Sequence, residues 1–143
     1  MLALPRRLLT AALSCLALAT LASCAEGPFD PTLDDVLGTY HLQQFYIAIG
    51  TDSTDFVAEG ATVDLVLADS GVASGTMHLP IDNGPDLDID LAGSWEFVGR
   101  KIALAHAEET FINGVPMSVP GPGQIDLIQE ADGQRFVFRL RRE

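Results

Sequence analysis

Asp86-Leu87-Asp88-Ile89-Asp90-Leu91 alternates strictly between a carboxylate and an aliphatic side chain. Successive side chains of a strand point to opposite faces, so a period of two describes a half-buried antiparallel strand. Working outward, the same period returns in Val63, Leu65 and Leu67 against Thr62 and Asp64. It returns again in Ile102 and Leu104 against Lys101 and Ala103, and in Phe136, Phe138 and Leu140 against Arg135, Arg139 and Arg141. Between these runs stand Asp69-Ser70-Gly71, Val98-Gly99-Arg100, Asn113-Gly114 and Asp132-Gly133. Asn-Gly and Asp-Gly accept the positive φ that tight hairpins need. No stretch after residue 24 holds a 3.6-residue period, although Asp34 to Leu37 has room for one helical turn.

These signals predict strands near 37–49, 61–68, 72–79, 86–98, 100–107, 109–113, 115–119, 123–130 and 134–141, with longer connections at 50–60 and 80–86. Pro116, Pro120 and Pro122 make the strand at 115–119 edge-like or irregular, because proline cannot donate to a ladder. The expected fold class is all-β. Residues 37–143 form an antiparallel up-and-down meander of eight or nine strands, closed into a small barrel or folded as a sandwich.

The first 23 residues read differently. Arg6 and Arg7 precede an uncharged apolar run from Leu8 to Ala22, too short to span a bilayer as a helix, which takes about 20 residues. A positive start, an apolar stretch and small residues at a cleavage point make a secretory signal. The stretch Leu21-Ala22-Ser23-Cys24 resembles the lipobox of bacterial lipoproteins. That resemblance implies a signal helix over 1–23, removed on export by the general secretory route, and an acylated Cys24 at the new amino terminus. Residues 24–36, rich in Gly, Pro and Asp, then form a flexible tether. The partner so implied is a membrane, reached through the lipid at Cys24, and the location is the bacterial cell envelope. Ala25 stands where an Asp would favour retention at the inner membrane, so the outer membrane is expected.

Arg6 and Arg7 leave with the signal, so six basic residues face 20 acidic ones, a net charge of −14. Such a surface repels nucleic acid and anionic lipid, and nucleic acid is excluded as a partner. Cys15 lies in the signal and Cys24 takes the lipid, so the mature domain has no disulfide and must be held by its apolar core.

Gly38-Thr39-Tyr40-His41-Leu42 and Gly93-Ser94-Trp95-Glu96-Phe97, the latter followed by Gly99 and Ile102-Ala103-Leu104, carry a second resemblance. Over residues 37–141 the chain resembles the lipocalin-like domains of small bacterial lipoproteins. It departs from them in having Tyr40 in place of the usual Trp and no counterpart of the lipocalin disulfide. The resemblance implies an eight-stranded barrel with an arginine packed against the opening aromatic, a role within reach of Arg139 or Arg141. It also implies an interior able to take a small apolar ligand. Tyr40, Met77, Trp95, Phe97, Phe136 and Phe138 fall on positions expected to face inward and are the candidate lining, with Gly75 and Gly93 leaving room between them. The competing expectation is a filled core, since eight strands enclose just enough space for side chains.

Motifs for chemistry are scarce. Asp82, Asp86, Asp88 and Asp90 form the densest acidic group, and a solvated outer face accounts for them better than a calcium loop. His41, His78 and His106 sit on three strands without the spacing of a zinc site. No Gly-x-Ser-x-Gly elbow and no phosphate loop occurs. The expectation is a protein that is not an enzyme and needs no cofactor or metal. Its leading role is that of a membrane-anchored lipoprotein binding a small apolar ligand. The alternative is a protein-interaction module, either an envelope assembly partner or an acidic inhibitor of a basic enzyme, steered by charge.

Overall fold

The computed structural model describes residues 28–143. The signal and Cys24 lie outside the described residues. One helical turn, α1 (Leu33–Val36), precedes ten strands. These are β1 (Gly38–Ile49), β2 (Asp52–Asp55), β3 (Thr62–Leu67), β4 (Val72–Leu79), β5 (Leu87–Asp90), β6 (Gly93–Val98), β7 (Lys101–His106), β8 (Met117–Ser118), β9 (Gln124–Ala131) and β10 (Gln134–Arg142).

Every strand pairs antiparallel with its neighbour, and β10 returns to pair with β1 from Tyr40↔Arg142 to Ile49↔Gln134. The result is a closed eight-stranded barrel. Two walls are built from pairs of short strands. β2 and β3 share one edge of β1, and β5 and β6 share one edge of β4. The expected strand at 86–98 therefore breaks: the Asp90 carboxylate accepts the Ala92 amide at 2.8 Å and turns the chain. The connection expected at 50–60 contains β2. The strand expected at 109–113 is a loop, because the Asn113 side chain bonds the backbone of His106 and Glu108 instead of leaving Asn113 free to extend a ladder. Around the prolines, β8 is reduced to two residues and meets β9 through a single pair, Ser118↔Asp126.

Alternation sets the core. Along β3 burial alternates at every residue, with Val63, Leu65 and Leu67 inside. Tyr40, Leu65, Met77, Ile102, Ile125 and Phe138 are fully enclosed. Leu87, expected inward, is exposed because it pairs with the very end of β4 at Leu79, where no layer covers it. Gly75 and Gly93 leave no room for a guest. A Cβ at either would run into the carbonyl oxygen of Asp64 or of Ala105, so the missing side chains let strand backbones close up. The segment expected as tether is partly structural: Val36 is fully buried, and Phe29 packs against the core.

Candidate functional site

The strand directions define two ends. One holds α1, the 68–71 and 99–100 turns and the 119–123 loop; the other holds residues 50–61, 80–86, 107–116 and 132–133.

At the α1 end, Thr32 caps the helix in a reciprocal box. Its amide and hydroxyl reach Asp35 Oδ2 at 2.8 and 2.7 Å, which holds the Asp35 carboxyl below its ordinary pKa. The last carbonyls of α1 are taken by side chains. Tyr40 Oη donates to Val36 O at 2.7 Å, and burial pushes the phenol pKa up to about 12. Arg142 Nη1 donates to Asp34 O at 2.9 Å and Leu37 O at 2.7 Å. Its stem lies over Gly38, whose φ of +135° and close approach to Arg142 Cδ both require glycine. Trp95 Nε1 donates to Ala68 O at 2.8 Å and closes this end from the other side.

The arginine beside the opening aromatic is therefore Arg142, not Arg139 or Arg141. Residues 136, 138, 140 and 142 share the inner face of β10, whereas Arg139 and Arg141 project outward and clamp Asp126. Arg141 Nη1 lies 2.6 Å from Asp126 Oδ1, and Arg139 Nε 3.3 Å from Oδ2. Counting by twos from Phe138 would have found Arg142.

The opposite end is closed by rings. Phe45 stacks on Phe56 at 4.5 Å between centroids and touches Phe111 at 5.1 Å, Phe136 at 5.5 Å and Phe138 at 5.6 Å. Phe56 and Phe111 come from loops, so a search for strand periodicity misses them. Phe45 was missed for another reason. A bulge between Leu42 and Gln44 switches the inner face of β1 from even to odd numbers.

Of the six candidate lining residues, Tyr40, Met77, Trp95 and Phe138 are buried and Phe136 is half-buried among the rings. Phe97 is a correction. It shares the inner parity of Trp95, but β6 runs past the end of β4, so the ring is 38% exposed and rests edge-on against Trp95 at 5.5 Å. The buried members belong to one continuous apolar core cluster, and hollows open on the surface. A groove of about 570 Å³ crosses the outer wall at Ser94, Glu96, Ala103 and Ala105, and one of about 380 Å³ lies beside His41 and Thr62.

The polar clusters are local. His78 Nδ1 meets Asp88 at 2.7 Å and Nε2 faces Asp86 at 3.8 Å; the hydrogen bond to Asp88 raises the imidazole pKa. His41 lies between Asp64 at 2.6 Å and Glu143 at 3.1 Å. Thr110 Oγ1 is 3.1 Å from His106 Nε2, and His106 Nδ1 is buried with no side-chain or backbone partner. Among the described residues, no three His, Cys, Asp or Glu side chains converge on a point that could hold a metal. Comparisons of the chain with protein-family models, characterised proteins and solved structures found no match.

Proposed function

We propose that this chain is a non-enzymatic lipoprotein of the bacterial envelope, anchored through Cys24 in the outer membrane, that acts by binding another protein. The observation that carries the choice of a protein over a small guest is that the interior residues form one buried apolar cluster and the Phe45, Phe56 and Phe111 rings lie together across one end of the barrel. The end those rings close is acidic. Asp52 and Asp55 stand on β2 and Glu59 on the loop after it, Asp82 and Asp86 on the next loop, and Glu108 and Glu109 on a third, with Ile49, Ile81 and Leu87 exposed among them. Apolar side chains inside a field of one sign suit a basic protein surface, brought in by long-range attraction.

A second reading keeps the small apolar ligand. It is favoured by Phe56 and Phe111 coming from loops, which can move without unpairing the barrel. One experiment separates the two. A photoreactive residue at Ile81 in cells should give a protein adduct that disappears when Asp82 and Asp86 become Asn. Native mass spectrometry of the mature protein after exposure to envelope lipid should return the bare mass. A retained lipid, with no adduct at Ile81, would replace the protein-partner reading by the ligand one.

A further inference from the structure

The tip of the β6–β7 hairpin is apolar where most of this acidic surface is not. Phe97 and Val98 are 38% and 44% exposed, and Arg100 and Lys101 follow them across the Gly99 turn. Leu33, on α1 at the same end, is also exposed. Of the six basic residues after the signal, Arg100, Lys101, Arg141 and Arg142 fall at this end, Arg139 on the wall and Arg135 at the other end; Arg141 pairs with Asp126 and Arg142 with backbone carbonyls, which leaves Arg100 and Lys101 at the tip.

The path of the chain says what this end faces. Asp30 pairs with Arg100 at 3.6 Å, so the first described residues run against the hairpin tip. Cys24 stands four positions before Pro28, a span of at most ~14 Å even if fully extended. Resting on the lipid anchor proposed above, we infer that the β6–β7 tip docks on the phospholipid surface. Phe97, Val98 and Leu33 enter the headgroup region, and Arg100 and Lys101 meet lipid phosphates. Apolar and aromatic side chains beside cationic ones are what the interface accommodates, the former in its apolar part and the latter at the phosphates. The same end also carries Asp30, Asp34, Asp35, Asp69, Glu96 and Glu143, so the contact is confined to the hairpin tip where Arg100 and Lys101 stand, and charges beyond about 10 Å are screened at physiological salt. The barrel therefore stands with its acidic, ring-closed end turned away from the membrane, where a partner can reach it.

The test uses the full lipidated protein in vesicles of phosphatidylethanolamine and phosphatidylglycerol. With Cys24 acylated, a cysteine introduced at Val98 or at Ile81 is the only thiol and takes an environment-sensitive fluorophore. Headgroup-level nitroxide lipids should quench the Val98 label and leave the Ile81 label bright. Replacing Arg100 and Lys101 by Gln should reduce the quenching while the protein still floats with the vesicles. An unquenched Val98 label on floating protein overturns the docking and leaves the anchor standing; a quenched Ile81 label reverses the orientation and also overturns it. Protein that neither floats nor incorporates labelled palmitate, as Cys24→Ala should not, removes the anchor and the docking with it.

Discussion

At the α1 end, Tyr40, Arg142 and Trp95 each donate a hydrogen bond to a backbone carbonyl; at the opposite end Phe45 stacks on Phe56 and packs against Phe111 within the apolar core. Both ends exclude water, but they resist change differently. A buried donor and acceptor that lose each other cost more than the bond gained, so the first closure has one arrangement. Ring contacts are weakly directional and tolerate sliding, so the second closure can be rebuilt. The fixed end is also the one the chain enters by, and the adaptable end carries the acidic loops. The proposed role, tethered at one side and recognising a partner at the other, would use that division.

The largest effect should come from the fixed end. Trp95 is 6% exposed and its indole nitrogen is bonded, so Trp95→Ala should cost ~3–5 kcal/mol in a denaturant melt, the range for large buried aromatics. A loss below about 1 kcal/mol would show that this end is not held by the ring and would erase the difference between the ends. Phe111 is half-buried and loop-borne, so Phe111→Ala should cost roughly 2 kcal/mol, less than a fully buried Phe. The same variant should gain binding of a hydrophobic dye such as ANS with its β circular dichroism unchanged. If it unfolds outright, the rings are as rigid a closure as the hydrogen-bonded one.

How far the sequence led follows the same division. Period-two runs such as Val63-Asp64-Leu65 located the walls, because a strand in a barrel has one wet and one dry face and its residues must obey both. The ends obey no such rule. Phe56 and Phe111 act through where their loops fold, which local pattern does not encode. Phe97 has the right parity but lies beyond the wall, and parity alone carries no height along the barrel axis. Arg142 was within reach of the counting rule, since it follows Phe138 and Leu140 by twos. Gly75 and Gly93 mislead for a physical reason: a missing side chain reads as space, but backbone moves in to occupy it.

The smallest effect concerns an exposed polar contact near the adaptable end. The Asp88 carboxylate, 2.7 Å from Nδ1, stabilises the His78 imidazolium and raises its pKa above the ordinary 6.5, helped by Asp86. A group whose folded pKa is raised adds stability that is complete below the unfolded value and is lost as pH climbs through the folded one. The contribution should therefore be largest below about pH 6.5 and fade as pH rises through the raised pKa, and it should be small, because solvent screens the pair. An NMR titration of the His78 ring should give a midpoint above 6.5 that falls back toward 6.5 in Asp88→Asn. Equal midpoints in the two proteins would mean that Asp88 does not hold the ring. The contrast between the ends would then be sharper, with side-chain hydrogen bonds to backbone carbonyls at one and stacked rings at the other.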